Sequence, residues 1–290
     1  MIRKIPDIFK EKKQTCSFEL FAPKTEGGIE KLLETAAALR KMEPDWFSVT
    51  YGAAGSTRGP TMEIVDSLQE RFQVPAMHHL TCVGQRKAEL KAMIEKMKAR
   101  DICNVLAVRG DPPQGATYWE TAPDGLAYSY QLVELIRSYG DFFSIGVAGF
   151  PEGHPNCPDK ETDVRYLKIK IDAGAEFVIT QLFLDNREYF EYMERIRRIG
   201  ITVRIIPGIL PITDYQALLR FCNICGVTIP QRVHDTFKPL DGDARATYEA
   251  GVQFAVEQCQ ELLKGGALGL HFYTLNRAYP TGEILKQIKR

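Results

Sequence analysis

No stretch of the 290-residue chain approaches the roughly 20 apolar residues that span a bilayer. The amino-terminal MIRKIPDIFKEKKQT is polar and basic, without the apolar segment of a secretory signal. Both absences predict a soluble, cytoplasmic protein with no membrane partner. Charge of one sign is missing too: 37 basic side chains face 37 acidic ones, and no basic stripe interrupts the balance. That removes the electrostatic footprint of a nucleic-acid binder. Neither a Gly-x-Gly-x-x-Gly nor a Walker sequence occurs, so any dinucleotide has to bind through other loops. The seven cysteines are an odd, scattered set, unlike a secreted disulfide framework, and reduced thiols are the expectation. Cys222 and Cys225 form a lone C-x-x-C with no second pair at zinc-ribbon spacing, which favours ordinary buried thiols. No Gly-Ser linker or low-complexity run divides the chain, and a single domain over residues 1–290 is expected.

What the chain does have is alternation. Short apolar runs rich in β-branched and aromatic residues recur about every 30 residues, near 16–21, 46–50, 76–81, 103–108, 143–148, 176–182, 201–206 and 268–273. Helical patterns separate them, such as Ile29, Leu32, Leu33, Ala36 and Leu90, Met93, Ile94, Met97. Continuous apolar strands in strict alternation with helices predict a closed parallel sheet wrapped by helices, a (β/α)8 barrel of the α/β class. The interval before the last strand is long and reads as extra helices around Asp241-Gly242-Asp243, an elaborated seventh loop.

In such barrels the chemistry sits at the carboxyl ends of the strands. Those ends carry Glu19, Thr50-Tyr51, His79, Arg109-Gly110-Asp111, Phe150 with His154, Gln181, Pro207-Gly208, and Tyr273 with Asn276 and Arg277. Ser17, Glu19 and Phe21 share one face of the first strand, and Phe18 and Leu20 the other. Glu19 then points into the barrel mouth, where poor hydration beside Phe21 favours the neutral acid, a candidate proton donor. The competing reading is a structural ion pair with Arg109 or Arg277. Of the paired His78 and His79, one can face the site, and His79 is the choice; the other is expected to be a satisfied structural histidine. RGDPP after the fourth strand is either turn chemistry or part of the site. GFPEGHP after the fifth forms a stiff loop beside Asp163 and Lys170, which are either a solvated helix face or ligand-binding groups.

Taken together, SFELFAP, FSVTYGAAGSTR, HLTCVG, LAVRGDPP, VAGFPEGHP, DAGAEFVITQLFLD, IIPGILPI and LHFYTLNRA, in order from residue 17 to residue 278, resemble the methylenetetrahydrofolate reductases in their short bacterial form. The resemblance implies a barrel holding FAD at the strand carboxyl ends. It implies Glu19 as the catalytic acid and Asp111 as the aspartate that tunes flavin and folate. It further implies flavin contacts from Thr50, Tyr51, Ala53, His79, Arg109, Gly110, Asp111, Tyr128, His154, Asp163 and Lys170. Gln181 matches a glutamine serving folate and nicotinamide in turn, and Arg277 an arginine near the folate tail. Phe150 stands where a tyrosine is common, Cys157 where an alanine is, and Tyr166 and Ile169 replace polar residues; these departures leave FMN open beside FAD.

The implied chemistry is ping-pong: NADH or NADPH reduces the flavin and leaves, then 5,10-methylenetetrahydrofolate arrives and becomes 5-methyltetrahydrofolate. Two rivals stay open. One is a catalytic subunit fed by an iron-sulfur partner or ferredoxin. The other is a flavin-free barrel lyase using Glu19 and His79 as an acid-base pair. A homo-oligomer is compatible with either, and no metal site is expected.

Overall fold

The computed structural model describes residues 2–23, 25–52, 57–110 and 121–288. Eight strands form one closed barrel in chain order: β1 (Thr15–Leu20), β2 (Trp46–Val49), β3 (Ala76–Thr81), β4 (Asn104–Val108), β5 (Ser144–Gly149), β6 (Phe177–Leu182), β7 (Arg204–Ile209) and β8 (Gly269–Tyr273). All neighbouring pairs are parallel, and β1 closes the ring against β8. Parallel strands need crossovers, and helices supply them. These are α2 (Glu26–Arg40), α3 (Arg58–Phe72), α4 (Lys87–Ala99), α5 (Ser129–Arg137), α6 (Lys160–Asp172) and α7 (Asn186–Arg198); α11 (Ala278–Gln287) follows β8.

The β7–β8 connection carries three helices, α8 (Tyr215–Cys225), α9 (Gln231–Phe237) and α10 (Ala244–Lys264), in agreement with the elaborated seventh loop. Asp159, Asp185, Asp214 and Asp243 each cap a helix start by accepting a backbone N–H, which satisfies donors that have no intrahelical partner. Asp241-Gly242-Asp243 thus separates helices because Gly242 turns the chain at φ +94° and Asp243 starts α10.

Two features differ from the sequence reading. The amino terminus, read only as polar and basic, contains α1 (Ile5–Glu11), whose Ile5 and Ile8 are buried. They join Trp46, Met77, Leu106, Phe177, Ile179 and Ile206, the inward side chains of β2, β3, β4, β6 and β7, and so close the floor of the barrel. Phe9 meets Trp46 and Phe177 edge-on at 5.7 and 5.6 Å. Asn104 stitches the helix down, accepting from Ile5 N–H at 2.9 Å and donating to Arg3 O at 3.0 Å.

The seventh strand also lies three residues later than the 201–206 expected. Ile201 ends the turn after α7, its N–H bonded to Ile196 O across Gly200 at φ +80°. Pro207 and Gly208 fall inside the strand, next to a register irregularity between β6 and β7. A proline inside a parallel sheet is tolerated at such a bulge, where no ladder donor is required.

Candidate functional site

Register decides what faces the interior. Ser17 lies opposite His271, and Glu19 lies opposite both Ser48 and Tyr273. The period-two rule turns all of these inward together, so the β1 carboxylate enters a polar patch above the apolar floor. Glu19 is 6% exposed. Its Oε2 stands 3.6 Å from Nε2 of His79 and 3.6 Å from Nε2 of His271. Burial lowers His79 to about 4, Glu19 opposing the shift and His271 reinforcing it, so His79 is neutral at pH 7. The carboxylate therefore meets two imidazoles, and Arg277 bonds elsewhere, to Thr213 Oγ1 at 3.0 Å.

Backbone around the acid is pinned from the β8–α11 turn. Thr274 donates to Glu19 O at 2.6 Å, and Asn276 pairs both polar groups of Phe21, accepting from its N–H and donating to its carbonyl at 2.8 Å each. Leu275 and Asn276 both hold left-handed conformations, at φ 49° and 57°, to make that clamp. Asn276 therefore acts on the backbone just past β1. Phe21 is 37% exposed and leaves the mouth open beside Glu19. Across the barrel, a Cβ at Gly208 would stand 2.6 Å from the Tyr273 ring, so the glycine makes room for it. The Tyr273 hydroxyl then donates to Thr180 O at 2.6 Å.

A second group gathers at the β4 and β5 ends. Arg109 lies with its guanidinium carbon 5.3 Å from the ring centre of Tyr128, which is exposed. Gly110 takes φ +96° against Thr81. Lys170 donates to Ala148 O at 2.6 Å and sits 5.9 Å from the Phe150 ring; burial brings its ammonium down to about 8, with Asp163 opposing. Burial raises Asp163, while Lys170, the His154 backbone N–H and Arg195 oppose the rise. His154 packs edge-on against Phe150 at 4.8 Å. Asp163 and Lys170 thus share one charged network under the β5 loop, and Asp163 is buried, unlike a solvated helix face.

Other expected residues lie differently. Thr50 Oγ1 accepts from Ala22 N–H at 3.1 Å, tying β2 to β1. Tyr51 packs its ring 5.5 Å from His78 and donates to Gln85. His78 is fully buried on the outer face of β3, as the alternation requires, but neither of its ring nitrogens has a hydrogen-bond partner. The expectation of a satisfied histidine is corrected: burial has lowered it to about 3 and it packs as a neutral ring. Gln181 faces inward from β6 and accepts from the N–H of Leu182. Ala53 and Asp111 lie outside the described residues. His271 went unread in the sequence, although it shares a strand face with Tyr273 and the alternation that turned Glu19 inward finds it as well. Among the described residues no group of His, Cys, Asp and Glu could hold a metal ion, and no helix is long and apolar enough to cross a membrane.

Comparison with known proteins adds the lineage. A structure from Clostridium thermocellum, described as binding two copies of 5-methyl-5,6,7,8-tetrahydrofolic acid, superposes with a TM-score of 0.64 at 12% identity over 97% of this chain and 96% of its own. That likeness carries the fold. In sequence, the chain is 38% identical over 286 residues to a methylenetetrahydrofolate reductase (NADH) of Arabidopsis thaliana, covering 95% of this chain and 48% of that protein. It is 36% identical over 262 residues to the 5,10-methylenetetrahydrofolate reductase of Pectobacterium carotovorum, covering 90% of this chain and 86% of the other. The chain spans about half the length of the plant relatives it matches. The methylenetetrahydrofolate reductase family model matches residues 3–289, and with both relatives it establishes that the chain belongs to this family.

Proposed function

We propose that the chain reduces 5,10-methylenetetrahydrofolate to 5-methyltetrahydrofolate through a bound flavin, with Glu19 as the general acid. The observation that carries this reading is the buried Glu19 carboxyl at the barrel mouth, flanked by two imidazoles, in a member of this family. A carboxyl so placed gives a proton to the bridging amine of the folate, opening the five-membered ring to an iminium. His79, neutral at pH 7, places no positive charge beside the acid.

The residues at the β4 and β5 ends fit an anionic, ring-bearing cofactor. Lys170 is a cation at pH 7 beside Phe150, Arg109 is held over an exposed tyrosine ring, and Gly110 brings backbone to the surface at a positive φ. Lys170 and Arg109 would hold phosphates, with Asp163 and His154 fixing the loop beneath them. When bound, the flavin supplies the hydride that reduces the methylene carbon. FAD is favoured, with FMN as the smaller candidate. Gln181 and Arg277 would orient folate and nicotinamide, and Thr50 would contact the flavin. Relatives are named for NADH and for NADPH, and either is a donor to test.

The test is the visible spectrum of the purified protein under anaerobic conditions. A flavin band that bleaches with NADH or NADPH and returns on adding methylenetetrahydrofolate supports both half-reactions. A band indifferent to nicotinamide but reoxidised by folate after dithionite moves the donor to a protein partner, and absence of flavin after reconstitution overturns the proposal. In Glu19→Gln, flavin reduction should persist while folate reduction falls roughly 10²–10⁴-fold, the usual worth of a positioned acid. Equal loss of both half-reactions would count against the acid role.

A further inference from the structure

Beneath Glu19 lies a hydrogen-bonded pair that the proposed chemistry does not yet use. His271 is completely buried, one register step deeper in the barrel than Glu19, and out of reach of any ligand at the mouth. Its Nδ1 is 2.7 Å from Ser17 Oγ, while its Nε2 faces Ser48 Oγ at 3.4 Å and Glu19 Oε2 at 3.6 Å. Two arrangements of the single imidazole proton compete. With the proton on Nδ1, the Nε2 lone pair could accept from the Ser48 hydroxyl at 3.4 Å but would also face the carboxylate lone pairs, an unfavourable contact in a low-dielectric interior. With the Ser17 hydroxyl donating to Nδ1, the Nε2–H points at the carboxylate, and donor and acceptor are matched along the row.

We propose that His271, its tautomer fixed by Ser17, is the positioning residue of the acid: its Nε2–H holds Oε2 of ionised Glu19 from below. Oε1 is then the carboxyl oxygen left to take up and give the proton at the mouth. At 3.6 Å the contact is longer than a hydrogen bond, and Ser48 Oγ, 3.4 Å from the same Nε2, shares its proton. Two other titratable groups face the carboxyl, His79 from β3 and Tyr273 from β8. Burial keeps His79 neutral and holds the Tyr273 phenol well above its usual range, so neither changes charge near pH 7. His271 donates to the charged form of Glu19, so losing that donor favours the neutral form and moves the titration upward.

This inference rests on the proposed role of Glu19, and its test is separable from it. The Glu19 carboxyl is titrated by ¹³C NMR in the flavin-loaded protein, with Glu19→Gln identifying the resonance. The pH profile of folate reduction is followed alongside. In His271→Leu the titration, and with it the high-pH fall in folate reduction, should move up by about half to one pH unit, the size of one lost long N–H contact to a charged carboxylate. Ser17→Ala should shift both in the same direction by less, and His271→Gln, which restores an N–H donor, should return them toward the parent. Flavin reduction by nicotinamide should be unchanged throughout. A carboxyl titration unmoved in the variants that fold overturns the assignment and leaves His271 a packing residue. Should the parent protein fail to turn over folate, the function proposal falls while the NMR titration still decides the role of His271.

Discussion

At the scale of single residues, two buried histidines give the protein an acid weakness. His79 and His78 have been lowered to about 4 and about 3 from an ordinary 6.5, chiefly by burial. Between pH 6.5 and those values the unfolded chain binds protons that the native state refuses. Their contribution to stability is intact above pH 6.5 and is lost as pH falls through 4, at about 1.4 kcal/mol per pH unit for each histidine. Urea midpoints measured from pH 7 to pH 4 should therefore fall steeply. His78→Leu, which removes one of the two groups without breaking any hydrogen bond, should flatten that fall and leave the protein at least as stable near pH 5. An unchanged slope would mean that His78 gains a partner or water in solution. The side chains were readable in sequence to different degrees. Alternation placed Glu19 and His79 inward, and it would have placed His271 there had the rule been run along LHFY. Which partner each would find was not readable, because that depends on register between β1 and β8, strands 254 positions apart at the Ser17–His271 contact.

At the scale of elements, α10 shows how tightly the extra β7–β8 helices are docked. A Cβ added at Gly251 would lie 1.7 Å from Ile212 O, so the helix rests directly on backbone that leads from β7. Neither side can yield as a flexible side chain would. Gly251→Ala should destabilise by about 1–3 kcal/mol despite alanine's better helix propensity, read as a lower urea midpoint with the same slope. A neutral or stabilising result would show that α10 lifts away without penalty. All eight strands were legible because a parallel barrel buries both strand faces and leaves continuous apolar runs. The seventh was misplaced because Ile201, Thr202 and Val203 have strand-like composition, whereas the chain is still leaving α7 there and the strand proper runs through Pro207. The cofactor-side loops offered less: Tyr51 appears in sequence as a mouth residue, but its ring has turned toward His78. Side-chain direction just beyond a strand end no longer follows the alternation.

At the scale of the whole molecule, one short amphipathic helix completes the core. Ile5 is fully buried against inward side chains of the barrel, so Ile5→Ala removes methylenes from a site that the surrounding strands cannot collapse to fill. A loss of about 2–5 kcal/mol is expected, with flavin binding retained where the native fold persists. A loss below about 0.5 kcal/mol in chemical denaturation would mean that α1 is only loosely held. The overall architecture was readable because the alternation of strands and helices extends across the chain. The floor was not, because seven residues with three apolar positions, Ile5, Ile8 and Phe9, carry too weak a periodic signal to stand out from a polar, basic segment.

That plug also governs timing. With Ile5, Ile8 and Phe9 filling the lower end, water approaches the Glu19–His271 column from the mouth, the side on which the proposed substrate sits. A folate lying over the carboxyl would seal in whatever proton the acid had already acquired, and a spent acid could not refill until the product had left. The barrel would then work as a single-charge device: one proton loaded per opening, delivered under cover, and replaced in the interval when the nicotinamide has its turn.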